Sequence, residues 1–365
     1  LIYNKDTDKV SSIDYRSAAP QSSKSEMFID NGEVIKFGHL VNAVPGSVAG
    51  LLKAHEAQGS LPLSSLLKPA IRLAKNGFEV TYDLNFVLEW GGESMLVNKA
   101  SREKFYNKNE EPIGVRTLFK QPNLAKTLFM ISKKGRDAFY KGEIAKWISE
   151  ESLSSGGLIT LNDLASYEAK LRIPIETTYR GYRIITMPPA ASGGLVLLQT
   201  LNILENFDLK ASGPNSAETV HILSESMQRA FADRVKFHGD PDFYDVPVKQ
   251  MLNKQYAFDR AQSISDNRTP NGEIFEGDLR QYEESPDTTH FSIIDSKGNA
   301  VSNTYTLGSS FGSGVTIKKG GFLMNNQMRN FSHFYGQDGA EYGTSEANKL
   351  EPGKRMISTQ TPTLV

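Results

Sequence analysis

Hydrophobic and polar positions change their period along this chain. Over residues 1–45 the repeat is close to two, as around Ser12-Ile13-Asp14-Tyr15-Arg16, and Asn31-Gly32 is a turn signal. A β-hairpin followed by a loop is expected there. From Pro45 to about residue 235 the period becomes three to four. Pro45-Gly46-Ser47 opens one helix, with Val48, Leu51, Leu52 and His55 on one face. A second spans 63–76, with Leu66, Leu67, Ala70, Ile71 and Ala74 inward and Gly77 as its stop. Segments 123–134 and 143–150 read as amphipathic helices. The longest, 216–234, spaces Val220, Leu223, Met227, Ala230 and Phe231 helically. A strand at Tyr182-Arg183-Ile184-Ile185-Thr186-Met187 interrupts the helices. It runs into Pro188-Pro189-Ala190-Ala191-Ser192-Gly193-Gly194. A strand-to-helix turn suits that glycine pair better than a phosphate cradle, because no GxxxxGK[ST] run is present.

After residue 264 the texture changes again. Residues 264–287 are polar and turn-rich, which predicts a mobile loop. Strands are then expected over 291–295, 300–306 and 321–325, with a turn at Ser296-Lys297-Gly298. The start, Leu1-Ile2-Tyr3-Asn4-Lys5, reads as the inside of a strand, and Pro362-Thr363-Leu364-Val365 as another. The chain is therefore expected to be a piece of a longer protein.

Composition narrows the chemistry. The 365 residues are 39% hydrophobic with a formal net charge of −1. No apolar stretch approaches the roughly 20 residues of a membrane span, so a soluble globular protein is expected. No basic face suggests a nucleic-acid partner. The absence of cysteine excludes disulfides, thiol catalysis and thiolate zinc sites. His39, His55, His221, His238, His290 and His333 show no metal-ligand spacing, so neither a metal nor another cofactor is expected.

The junction Glu284-Ser285-Pro286-Asp287-Thr288-Thr289-His290-Phe291 carries the sharpest candidate chemistry. A threonine freed at a new N-terminus holds a nucleophile and a base on one residue. Its Oγ attacks, and its α-amine, with a reference pKa of about 7.7–8.0, takes the proton. Strand propensity alone would also place two β-branched threonines there.

Several separate runs bear on this choice. They include Ile13-Asp14-Tyr15-Arg16, Val44-Pro45-Gly46-Ser47-Val48-Ala49-Gly50, Met187-Pro188-Pro189 with Ser192-Gly193-Gly194, Gly239-Asp240-Pro241, Thr288-Thr289-His290-Phe291-Ser292 and Asn325-Asn326-Gln327-Met328. In these runs, and in their order, the chain resembles the γ-glutamyltransferase family of N-terminal-nucleophile hydrolases. The resemblance implies an α+β fold, a four-layer αββα sandwich with a helical large-subunit region. Residues 1–287 would form the large-subunit portion and 288–365 the small-subunit portion, together one unit. It implies self-cleavage between Asp287 and Thr288, with Thr288 as nucleophile and the Thr306 hydroxyl orienting it.

Arg16, Ser358 and Thr359 match the family's grip on the substrate carboxylate, and Gln327 and Asn330 its grip on the α-amine. A guanidinium fork suits a carboxylate, although an arginine beside a hairpin is also a common surface ion-pair partner. The chain departs from the family's transferases in three places. Position 330 is Asn rather than Asp, position 308 is Gly rather than Asn, and Thr359 replaces Ser. Asn330 and Glu351-Pro352-Gly353-Lys354-Arg355 also resemble the capsule poly-γ-glutamate depolymerases and the cephalosporin acylases. The family's oxyanion glycine pair is expected beyond Val365.

The implied activity is cleavage of γ-glutamyl amides of the glutathione type through a γ-glutamyl-threonine ester. Water or an amine would accept the acyl group. The partners would be that small-molecule substrate and the two chains of one precursor, and the location would be extracellular, cell-surface or periplasmic. Depolymerase or acylase activity is the alternative within the family. A non-catalytic solute-binding protein, with Arg16 as its ligand clamp, is the alternative outside it.

Overall fold

The computed structural model describes residues 1–274, 288–333 and 345–365. Strands β1 (Ile2–Asn4) and β2 (Lys9–Asp14) form the expected N-terminal hairpin. A short second hairpin joins β3 (Ile29–Asp30) to β4 (Glu33–Val34). Its turn residues Asn31 and Gly32 both have positive φ (50° and 82°), which is why that dipeptide closes it. Two further short strands, β5 (Phe78–Glu79) and β6 (Leu118–Phe119), pair with each other.

The remaining strands build two sheets. One has the order β10-β11-β1-β2-β7, with β7 at Lys170–Arg172, β10 at Thr289–Ile294 and β11 at Ala300–Tyr305. The other has the order β12-β9-β8, with β8 at Ile175–Tyr179, β9 at Tyr182–Thr186 and β12 at Thr363–Leu364. Every strand pair in these two sheets is antiparallel. The protein is thus a mixed α/β fold with antiparallel sheets. The first sheet joins segments distant in sequence, since Ile2 faces Val301 and Ile13 faces Leu171. Residues 321–325 do not form the expected strand. They make one bridge, Leu323 to Thr316, and Met324 exchanges single backbone bonds with Ser313 and Val315.

The helices fall close to where the period put them. Ser47–Gln58, Leu63–Asn76, Pro122–Lys134, Glu143–Ser154, Ser192–Leu204 and Ala217–Phe237 are the longest. Gly77 ends the second at φ 92°, its N–H on the Leu73 carbonyl (2.8 Å). Several faces differ from expectation. Leu51, Leu66 and Ala70 are exposed, while Ala49, Gly50, Leu52 and Ala74 point inward.

On helix Ala217–Phe237, Val220, Leu223 and Met227 lie outside, and the buried face carries charge. Glu225 and Arg229 pair at 2.6 Å with both side chains buried. Asp233 accepts from Gln199 (2.8 Å), Tyr256 (2.7 Å) and Arg260 (2.7 Å). Pairing and hydrogen bonds offset the desolvation of these groups, so the inward face need not be apolar.

The main core gathers Ile13, Val44, Tyr140, Ile144, Trp147, Ile159 and Tyr167 with Val315, Ile317 and Met324. The segment after Thr288 therefore shares its core with the helices before it. Among the described residues no helix is long and apolar enough to cross a membrane.

Candidate active site

The C-terminal end of β2 delivers Tyr15, Arg16 and Ser17 to the rim of one cavity of about 590 Å³. The helix starting at Ser47 abuts this strand end without a gap. A Cβ on Gly46 would lie 2.0 Å from the Tyr15 carbonyl, and one on Gly50 would lie 2.3 Å from the Tyr15 ring. Those two glycines let the helix and the strand touch. Tyr140 anchors the same helix start, donating to the Pro45 carbonyl (2.8 Å) and accepting from the Ala49 N–H (3.2 Å).

The end of β11 and the residues after it supply Thr304 to Leu307, and Asn325, Gln327, Ser358 and Gln360 add to the cavity wall. Tyr15 closes this corner by donating to Asn303 Oδ1 (2.6 Å). Burial pushes its phenol up to about 12, so it stays protonated at neutral pH.

Four predicted residues line this cavity: Arg16, Thr306, Gln327 and Ser358. They are connected through backbone and side chain. Gln327 donates to the Thr306 carbonyl (2.8 Å), and its own oxygen accepts from the buried Ser17 hydroxyl. The Thr306 hydroxyl accepts from the Gly308 N–H (3.0 Å). Arg16 donates to the carbonyls of Met356 (3.2 Å) and Ile357 (3.1 Å), two residues that lead straight into Ser358. The Ser358 carbonyl in turn accepts from the Ser192 N–H (2.6 Å) and hydroxyl (2.9 Å) at the start of helix Ser192–Leu204. The Gly193-Gly194 pair is the expected strand-to-helix turn, and close packing explains it. A Cβ on Gly193 would sit 2.1 Å from the Thr359 carbonyl, and one on Gly194 2.4 Å from the Met187 carbonyl.

Thr288 is exposed, at the start of β10. Thr289 pairs with Tyr305, and one further step of that antiparallel register sets Thr288 opposite Thr306. Asp287, and with it the expected cleavage junction, lies outside the described residues, as does most of the loop expected over 264–287.

Asn330 and Thr359 are half-buried and do not line the cavity. The Asn330 carbonyl accepts from Asn348 Nδ2 (2.7 Å), and the Thr359 carbonyl accepts from the Thr361 hydroxyl (2.7 Å). At position 308 the backbone adopts φ 104°, and a Cβ would stand 2.0 Å from Asn326 Oδ1. Only glycine fits there. Asn326 fills the space instead, accepting from the Ser309 N–H (3.1 Å) and donating to the Ser309 hydroxyl (2.9 Å) and the Lys36 carbonyl (3.1 Å).

Residues that periodicity and spacing did not single out hold this geometry. Ser17, Asn326 and Ser192 make contacts described above; the latter two lie in runs that carry the family resemblance, and no spacing marks Ser17. Among the described residues no group of three or more His, Asp or Glu is placed to hold a metal ion.

A sequence model of the family described as gamma-glutamyltranspeptidase matches residues 1–365. The chain is 42% identical over 361 residues to a glutathione hydrolase proenzyme of Escherichia coli (strain K12), covering 97% of this chain and 62% of that protein. A solved gamma-glutamyltranspeptidase of Helicobacter pylori superposes with a TM-score of 0.73 at 37% identity, covering 79% of this chain and 84% of the other. A cephalosporin acylase of Bacillus halodurans superposes with a TM-score of 0.82 at 29% identity, covering 100% of this chain and 65% of the other. The match along the whole chain and the identity to the Escherichia coli protein settle the family: this chain belongs to the gamma-glutamyltranspeptidases.

Proposed function

We propose that the protein is a self-processing hydrolase or transferase of γ-glutamyl amides, with Thr288 as its N-terminal nucleophile. The convergence of Arg16, Thr306, Gln327 and Ser358 on one cavity, with Thr288 opposite Thr306 by register, carries this reading. In the precursor the Thr288 Oγ attacks the carbonyl of Asp287, and water resolves the resulting ester. The freed α-amine then serves as base. It takes the Oγ proton as Oγ attacks the substrate's γ-carbonyl and returns it to the departing amine. A γ-glutamyl ester on Thr288 remains until water or an amine acceptor removes it. Arg16 and Ser358, with Thr359 beside them, bind the substrate carboxylate, and Gln327 and Asn330 address the α-amine. The guanidinium of Arg16 supplies the positive charge for the carboxylate while its Nε and Nη2 hold the Met356 and Ile357 carbonyls.

The reading includes a four-layer αββα arrangement built jointly by residues 1–287 and 288–365, and an extracellular, cell-surface or periplasmic location. The Escherichia coli relative is named a proenzyme, which supports two chains cut from one precursor. Its name, and the family's, support glutathione-type donors.

One observation favours a variant of this reading. A side chain at 308 would be strained and would displace Asn326, and Asn330 carries no charge. The amine side is thus weaker than the carboxylate side. Donors without a free α-amine, such as glutaryl amides or internal units of poly-γ-glutamate, should then be accepted alongside ordinary γ-glutamyl donors.

The test is mass spectrometry of the full-length protein mixed briefly with a γ-glutamyl anilide. Addition of one γ-glutamyl group to the peptide beginning at Thr288 is expected. An adduct on another residue, or turnover undiminished in Thr288→Ala, contradicts the proposal.

A further inference from the structure

Arg16 and Arg355 hold each other's backbone. The Arg16 fork donates to the carbonyls of Met356 (3.2 Å) and Ile357 (3.1 Å), the two residues after Arg355. Arg355 Nε donates back to the Arg16 carbonyl (3.2 Å), and its Nη2 donates to the Glu168 carbonyl (2.6 Å). The segment just after β2 and a segment remote from it in sequence are thereby clasped from both sides.

A shared set of acids sits behind the clasp. Asp14 accepts from the Arg16 N–H (3.0 Å) and lies 3.6 Å from Arg355 Nε and 3.4 Å from Arg172 Nε. Asp240 accepts from the Arg355 N–H (2.9 Å), and Arg172 grips Asp242 with both ends of its fork (2.8 and 2.6 Å). The Tyr167 hydroxyl adds a second donor to the Arg16 carbonyl (2.8 Å). Asp14, Asp240 and Arg355 are all buried. Neighbouring acids keep the Arg355 guanidinium charged despite the burial that opposes it.

Such a network is expensive to bury and unnecessary for a fold that already owns a large apolar core. What it specifies is a distance. Arg355 is three residues before Ser358, and Arg16 is the residue it clasps. We propose that Arg355 and Asp14 are positioning residues that fix the separation between Arg16 and Ser358, so that a substrate carboxylate meets a seat already formed. This rests on the reading of Arg16 and Ser358 as the carboxylate site, and it predicts where that site's precision comes from. Arg355 cannot be replaced by lysine in this role. A single ammonium cannot address the Arg16 and Glu168 carbonyls and the Asp14 carboxylate in one plane.

The experiment is a double-mutant cycle on the full-length protein with two donors, a γ-glutamyl anilide and its analogue lacking the α-carboxylate. Arg355→Lys is expected to raise KM about tenfold for the first donor, as for one lost charged hydrogen bond, with kcat and the second donor changed less than about twofold. In an Arg16→Ala background the same substitution should no longer alter donor discrimination, because it acts through Arg16. Equal losses on both donors, or full additivity with Arg16→Ala, would overturn the inference. Loss of discrimination in Arg16→Ala but not in Arg355→Lys would overturn it while leaving the carboxylate site intact. Unchanged discrimination in Arg16→Ala would instead remove the site itself. If Arg355→Lys does not fold, the same cycle with Asp14→Asn decides by the same criteria. Its amide oxygen keeps the Arg16 N–H satisfied and removes the charge that Asp14 presents to Arg355 and Arg172.

Discussion

The proposed carboxylate seat, which lines the cavity, and the strand that follows the proposed nucleophile are built in opposite ways. The seat pairs half-buried Arg16 with buried Ser358, is cross-braced by arginines and acids, and is tied to the start of helix Ser192–Leu204. Strand β10 is an edge strand with all six residues exposed, and Thr288 precedes it. Its described ladder runs to β11 alone. The contrast teaches that binding geometry and chemical geometry are separable here. The proposed seat is fixed by many contacts, and the proposed nucleophile by a short ladder. Substitutions on β10 and β11 should therefore change maturation and kcat, and substitutions in the seat should change KM.

Thr306→Ala is the sharpest way to break this division. Loss of the hydroxyl proposed to orient Thr288 should slow both maturation and turnover by roughly 10²–10⁴-fold, while Thr306→Ser keeps much of both. Near-normal rates for both variants would reduce Thr306 to a strand residue. KM should move little in either.

Arg16→Ala tests the other half. An unpaired substrate carboxylate should cost about 1.5–3 kcal/mol in kcat/KM for γ-glutamyl donors, with maturation unaffected. Slowed maturation in this variant would show that seat and strand are coupled.

Asn330→Asp sharpens the comparison on the amine side. One charge-assisted hydrogen bond regained should shift preference toward γ-glutamyl over glutaryl anilides by roughly 10–100-fold. A wild-type protein that already rejects the glutaryl compound strongly would mean that another residue holds the amine.

A separate prediction, on stability rather than activity, concerns acid. His238 lies beside the Gly239-Asp240 turn that braces Arg355, fully buried, with neither ring nitrogen partnered among the described residues. Burial, helped by the Arg234 charge, takes it from 6.5 down to about 3, and burial takes His333 down to about 4. Between about pH 6.5 and 4 the unfolded chain binds these protons and the folded chain does not. Stability should fall across that window as pH drops, by up to about 1.4 kcal/mol per pH unit for each histidine. A Tm that stays level from pH 7 to 4.5 would contradict it. His238→Gln should lessen the slope.

Where local chemistry set the structure, the sequence read correctly. Asn31-Gly32 forces a hairpin turn, Gly77 a helix stop, and Ile184-Ile185 a buried strand. Arg16, Thr306, Gln327 and Ser358 were found through resemblance, and they do share a cavity. Hydrophobic periodicity found helix Ala217–Phe237 but misplaced its face at Val220, Leu223 and Met227, because buried Glu225, Arg229 and Asp233, which such a count treats as outward, share the inward side with Ile222 and Ala230. It failed at 321–325 because an apolar run there makes only scattered single backbone bonds. The clasp of Arg16 and Arg355 had no local signature. It joins carbonyls and guanidiniums more than 300 residues apart.

The central claim is that Thr288 becomes an N-terminus and acts from it. Intact-mass analysis and N-terminal sequencing of the purified full-length protein test it directly. Two chains are predicted, the second beginning Thr288-Thr289-His290, with Thr288→Ala remaining one inactive chain. A native N-terminus at Thr289, or an active protein that is never cut, would contradict the account.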